Sequence, residues 1–223
     1  NAESLAARRH CRHNTSAYAR LQLPAEWLPI LAHEANLANI EFMCTAYLPE
    51  DIAAVAPFVR RFKIASFESH DPTFVQAHYA YGKPIIISTG LHTHDSLVAL
   101  RNSLLGAPIE VSLLHCVSAY PCPPDEVSLN VIREYGLHGF SDHTGRVDTG
   151  ALAVAAGASI LEVHFMAPDT NLTNPDVPHS HLPKALALYI TKARAADRMM
   201  GERPAHRTIA SSEQALVPYK VTA

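Results

Sequence analysis

The sequence predicts an α/β protein, a TIM (β/α)8-type barrel of parallel strands in which six strands are present and the first two β/α units are missing. Three observations predict it. Short apolar, β-branched runs recur at Ile40–Thr45, Phe62–Ser66, Pro84–Thr89, Val111–Cys116, Gly139–His143 and Ile160–Phe165. Their ends, marked by Thr45, Ser66, Thr89, Cys116, Ser141 and His164, step by 21, 23, 27, 25 and 23 residues, the length of a strand, a helix and two turns, and such connections make neighbouring strands parallel. The runs are nearly continuous in apolar residues, as suits strands covered on both faces. No Gly-rich phosphate fingerprint follows the early strands, which counts against an open doubly wound sheet.

Residues 1–39 offer a helix over Pro24–Asn36 but no strand. Arg8, Arg9 and Arg12 are not followed by an apolar stretch, so no secretory signal is expected in the sequence as written, and the missing initiator Met points to a trimmed or incomplete start. Between the runs, helices are expected over Pro49–Val59, Pro72–Tyr81, His94–Leu105, Leu129–Tyr135 and Thr149–Ala156. In Ser88–Asp95 a strand end, a Gly turn and an N-cap lead into a helix, where a phosphate could sit on exposed N–H groups. After Phe165 the chain offers a loop, a helix over about Pro183–Met200 and an irregular tail. Residues 1–204 therefore read as one partial barrel domain and 205–223 as a linker-like tail. Open sheet edges in such a barrel need covering.

Composition excludes several function classes. With 48% hydrophobic and 17% charged residues, the 223-residue chain has the make-up of an ordinary soluble α/β protein. A net charge of −3 gives no reason to expect nucleic acid or an anionic membrane as partner. No apolar run approaches the roughly 20 residues of a membrane helix. Four cysteines (Cys11, Cys44, Cys116, Cys122) lack C-x-x-C spacing, so a reducing cytoplasmic location is expected.

In a barrel, function gathers at the C-terminal strand ends. Those ends carry Thr45, Lys63, Ser66, Glu68, Ser88, Thr89, Ser118, Tyr120, Ser141, His143 and His164. Small hydroxyls around a lysine suit a phosphate or carboxylate. Alternation puts Ser141 and His143 on one face of their strand, with Asp142 opposite. It also puts Glu162 and His164 on the face away from Leu161, Val163 and Phe165, hence toward the barrel interior. Two imidazoles from neighbouring strands can share a divalent ion with positions open for substrate. A strand-end histidine can equally be a hydrogen-bonded core residue, a strand-end serine can satisfy backbone groups, and Lys63 can serve as counter-charge to a buried Glu162. His70, His78, His179 and His181 read as loop or surface residues.

The strings FKIASFE (Phe62–Glu68), GKPIIISTG (Gly82–Gly90), LLHCVSAYPCPPDEVSLNVI (Leu113–Ile132), GFSDHT (Gly139–Thr144) and GASILEVHF (Gly157–Phe165) resemble the N-acetylneuraminate (sialic acid) synthase family. The resemblance runs in order from about Trp27 to Met200. It implies a phosphoenolpyruvate-condensing barrel, a transferase that joins phosphoenolpyruvate to an open-chain N-acetylated amino sugar and releases phosphate. The cofactor implied is a divalent metal, Mn2+ first and Mg2+ or Co2+ next, with His143 and His164 as ligands. Lys63, Ser66, Ser88, Ser118 and Ser141 are implied as the phosphoenolpyruvate cradle, and Glu68, Tyr120 and Asp176 as the residues nearest the sugar and the transferring atoms. A homodimer is implied as well.

The chain departs from the family pattern in several places. The early strands with an acidic residue, an Asn-His pair and a Lys near Phe-Gln are not found, nor is the C-terminal antifreeze-like domain. In the sugar-facing loop, Thr170, Asn174 and Val177 replace a basic residue, a glycine and a polar residue. The sugar is thereby left open among sialic, legionaminic and pseudaminic types. Two other readings compete: a non-catalytic fragment, and another metal-dependent barrel enzyme such as a hydrolase, whose carboxylate ligand would have to be Glu68 or Asp142.

Overall fold

The computed structural model describes residues 23–201 and 209–219. Arg8, Arg9, Cys11 and Arg12 lie outside them, as do parts of the 205–223 tail. Among the described residues the strands are β1 (Phe62–Ile64), β2 (Ile85–Ser88), β3 (Val111–Cys116), β4 (Gly139–Asp142), β5 (Ile160–Phe165) and β6 (Ser180–His181). They form one parallel sheet in chain order, β1 to β6. A doubly wound sheet reverses its order at a switch point; this one never does.

The sheet is also curled. Lys63 of β1 and Glu162 of β5 stand 3.6 Å apart, and Ser88 of β2 reaches the same carboxylate at 3.3 Å. In a flat sheet, β1 and β5 would be about 19 Å apart at about 4.8 Å per strand, beyond the reach of any two side chains. The architecture is therefore a half-barrel of the TIM type, whose concave side collects the inward residues.

Helices cover the convex side: α1 (Leu28–Leu37), α2 (Pro49–Val55), α3 (Pro72–Ala77), α4 (His94–Ser103), α5 (Asn130–Glu134), α6 (Thr149–Ala156) and α7 (Pro183–Met200). Local chemistry starts several of them. Asp71 accepts from the Thr73 and Phe74 amides ahead of α3, Thr93 accepts from Ser96 ahead of α4, and proline opens α2, α3 and α7. The main core lies between helices and sheet, around Ile52, Val55, Phe62, Ile64, Phe74, Ile85, Ile87 and Leu113. A second cluster joins Cys122, Val127, Ile132, Phe140 and Ala153, so the buried Cys122 serves as a small apolar residue.

The structure corrects three expectations. Ile40–Thr45 is not a strand; it meets the sheet through one bridge, Thr45 to Lys63. As the outermost segment described, it has a partner on one side only, and Ile40 is solvent-exposed. The sixth strand is instead Ser180–His181, paired with β5 through His164–Ser180 and Phe165–His181. Finally, His78, His179 and His181 are not surface residues but are each 2% exposed or less. His78 packs edge-on against Phe62 and Phe74, and His181 lies against Tyr189. In the tail, Ser211–Tyr219 forms a 3-10 helix that buries nothing.

Candidate active site

The deepest part of the concave side is an ammonium held between strands. Lys63, almost wholly withdrawn from solvent, donates to Ser88 Oγ and to the Ile64 carbonyl, both at 2.9 Å. Glu162 accepts from Ser141 Oγ at 2.6 Å and from Ser88 at 3.3 Å. Lys63, Ser88, Glu162 and Ser141 thus form one continuous chain of contacts from β1 to β5. The counter-charge role for Lys63 is present in this geometry. At 3.6 Å from Glu162 the third N–H of the ammonium is not committed to a short hydrogen bond.

Beside it, Ser66, Ser118 and Gly90 make a second wall. The Gly90 amide donates to Ser66 Oγ at 3.0 Å, and Ser66 donates to Cys116 Sγ at 3.4 Å. A Cβ on Gly90 would lie 2.1 Å from Ser118 Oγ and 2.8 Å from Ser66 Oγ, so a side chain there would fill the cradle. Glu68 is buried in the 3-10 turn Glu68–His70 that follows β1. That turn packs on the Gly90 loop, with His70 Nε2 3.3 Å from the Gly90 carbonyl.

The imidazoles stand at the other side. His143 Nδ1 lies 2.8 Å from the Val117 carbonyl; a carbonyl only accepts, so Nδ1 carries the proton and the neutral ring keeps its Nε2 lone pair. The His143 and His164 ring centroids are 5.3 Å apart. Tyr120 lies 4.2 Å from His143 and 6.1 Å from His164, centroid to centroid. Asp176 Oδ2 is 3.7 Å from His164 Nδ1, and its Oδ1 is 3.7 Å from His179 Nε2. Ligating atoms of His164, Asp176 and His179 all lie within 4.8 Å of one another.

Electrostatics follow the packing. Burial pushes the His143 imidazole down, but the Cys116 sulfur, the Val117 carbonyl and Glu162 outweigh it, and the net shift is upward. For the Cys116 thiol, burial raises and His143 lowers, with a net downward shift. His164 holds the Asp176 carboxyl below its usual range against burial. Burial, helped by the His164 charge, takes His179 down to about 4. Imidazoles beside a carboxylate held below its usual range are a donor set that suits a Mn2+-, Co2+- or Zn2+-like ion, so the residues present fit a divalent metal.

Of the sequence-predicted site residues, Lys63, Ser88 and Ser141 are joined through Glu162, Ser66 and Ser118 both approach Cys116 Sγ, at 3.4 and 4.0 Å, and His143, His164, Tyr120 and Asp176 cluster, while Glu68 lies in the turn after β1. Asp142 does not join them. It accepts from the Thr144 amide and hydroxyl at 2.8 and 2.7 Å, from Thr149, and from Tyr189 at 3.1 Å, and so is committed to α6 and α7. His179 is the residue that sequence reasoning passed over. Its signal was the Asp176–His179 spacing of three residues in a turn just before a strand.

The chain is 31% identical over 192 residues to the N,N'-diacetyllegionaminic acid synthase of Campylobacter jejuni, covering 82% of this chain and 57% of that protein. It is 28% identical over 200 residues to the human N-acetylneuraminate-9-phosphate synthase, covering 87% and 53%. It therefore spans little more than half the length of these relatives. The crystal structure of the N-acetylneuraminic acid (sialic acid) synthetase of Leptospira borgpetersenii shares the fold, with a TM-score of 0.83 at 24% identity over 95% of this chain and 77% of that one. The model of the NeuB family matches residues 2–205, and the chain belongs to that family.

Proposed function

We propose that this chain carries the catalytic face of an enzyme that condenses phosphoenolpyruvate with an N-acetylated amino sugar, N-acetylmannosamine or a related hexosamine, to give a nonulosonic acid and phosphate. The observation that carries the reading is the meeting of two features on one concave face: the Lys63–Ser88–Glu162–Ser141 chain and the His143–His164 pair. An ammonium among hydroxyls recognises a phosphate and a carboxylate. A lone-pair imidazole pair next to it recognises a cation.

In this reading Lys63, Ser66, Ser88, Ser118 and Ser141 hold the phosphate and carboxylate of phosphoenolpyruvate, so that C3 approaches the sugar aldehyde carbon in a fixed line. Tyr120, Glu68 and Asp176 border the sugar. C3 forms the new bond to the aldehyde carbon, water adds at C2, and the C2–O bond breaks to release phosphate. A divalent ion held by His143 and His164, Mn2+ in the first instance and Mg2+ or Co2+ otherwise, supplies Lewis acidity toward the aldehyde oxygen. The reading includes a cytoplasmic homodimer. Among the described residues no helix is long and apolar enough to cross a membrane.

The test is formation of a nonulosonic acid, read by mass and by phosphate release, from phosphoenolpyruvate and each of the sialic-, legionaminic- and pseudaminic-type hexosamines. His143→Ala and His164→Ala are each expected to abolish the metal-dependent rate. Full activity of either variant without added metal would overturn the ligand assignment. Failure of the chain to bind either phosphoenolpyruvate or Mn2+ would favour a non-catalytic fragment.

A further inference from the structure

We propose that His179, with Asp176, completes the cation site that His143 and His164 begin, so that three imidazoles and one carboxylate converge on the ion. This inference rests on the metal-dependent reading above and adds ligands to it. The ring of His179 is fully enclosed, and neither of its nitrogens has a hydrogen-bond partner among the described residues. A buried polar atom without a partner is costly, and native structures rarely leave one without a reason.

Histidines that serve packing in this fold look different. His78 sets Nδ1 on the Phe74 carbonyl at 2.9 Å, and His115 sets Nε2 on the Val127 carbonyl at 2.6 Å. His179 has no such anchor. It is held from behind instead, in the 3-10 turn Val177–His179, with the Gly145 backbone pressed so close that a Cβ there would meet His179 Cα at 3.2 Å. Its ring stands 4.3 Å from that of His164, at 75°.

The spacing points to an ion rather than to hydrogen bonds. Asp176 sits between the two rings with both N···O separations at 3.7 Å, too long for hydrogen bonds. Two ligand atoms each about 2.1 Å from one ion stand about 3.0–3.5 Å apart, so a small inward movement brings all three donors onto a common cation. With His143 added, three imidazoles and a carboxylate leave the remaining positions of a six-coordinate ion open, a set that suits Mn2+, Fe2+ or Co2+.

Mn2+ titration of the metal-free chain, read by the EPR signal of the free ion, tests this. The dissociation constant is expected to rise about tenfold or more in both His179→Gln and His179→Leu; a rise short of fivefold in both overturns the proposal. Electron spin-echo modulation of the Mn2+-loaded native chain needs no substitution and so cannot be confused by misfolding. Couplings from three imidazole nitrogens are expected, and couplings from only two overturn the proposal. A native chain that takes up no Mn2+ removes this inference together with the metal reading beneath it. Tight Mn2+ binding that the His179 variants leave unchanged removes this inference alone.

Discussion

Lys63 is the residue whose surroundings decide most. It is withdrawn from water, yet two of its three donors go to neutral acceptors and its counter-charge stands 3.6 Å away. An incoming phosphate would take over the ammonium as a charge-assisted partner, a contact worth about 1.5–3 kcal/mol. Lys63→Met is therefore expected to weaken phosphoenolpyruvate binding by roughly 10- to 150-fold in calorimetric titration, with Mn2+ affinity little changed. Equal loss of both affinities would mean that Lys63 supports the fold around the site rather than the anion. The residues of this cluster were unequally legible in the sequence. Period-two alternation alone turned Glu162 and His164 inward, because a strand admits only two faces. His179 was not legible, because it follows an aperiodic loop and precedes a strand of two residues. Its burial comes from where that loop lands, which no local pattern encodes.

At the scale of elements, the tightest joint is between α6 and α7. Gly150 opens α6 directly over Tyr189 of α7, and a Cβ there would lie 2.4 Å from the tyrosine ring. The ring cannot retreat freely, since its hydroxyl donates to Asp142 at 3.1 Å, and Asp142 in turn holds Thr144 and Thr149. Gly150→Ala is expected to destabilise the fold by about 1–3 kcal/mol through overpacking, despite the better helix propensity of alanine. In thermal unfolding that corresponds to roughly 2–4 °C per kcal/mol for a chain of this size. An unchanged or raised midpoint would show that the two helices separate at no cost. Both helices match the ranges expected from sequence, Thr149–Ala156 and Pro183–Met200, because a proline opens the second and glycines, Gly157 and Gly201, end both. Ile40–Thr45 has the same kind of apolar run as the true strands but only one bridge. Strand formation needs a neighbour on the sheet, and that is a property of position rather than composition.

The curl of the whole sheet was implied by the regular strand–helix beat, but the number of imidazoles it encloses was not. Burial pulls His78, His115 and His181 below the usual imidazole range, and takes His92 and His179 down to about 4. Each ring is harder to protonate in the folded chain than in the unfolded chain, where it titrates near the ordinary value of about 6.5. Between about pH 6.5 and 4 the unfolded state therefore binds more protons, and stability rises with pH. The contribution of these rings is complete above about 6.5 and is lost as pH falls through their folded values, about 4 for His92 and His179. His143 is shifted upward and has the opposite sign: its contribution is present below about 6.5 and fades as pH rises through its folded value. One ring set against five leaves the net slope positive, at up to about 1.4 kcal/mol per pH unit for each proton taken up. In chelator-treated protein, the urea unfolding midpoint is expected to fall steadily from pH 7 to pH 5, with a net uptake of more than one proton on unfolding near pH 5. A midpoint that stays level over that range would mean that the enclosed rings already carry their protons in the fold, and that the half-barrel admits far more water than its packing suggests.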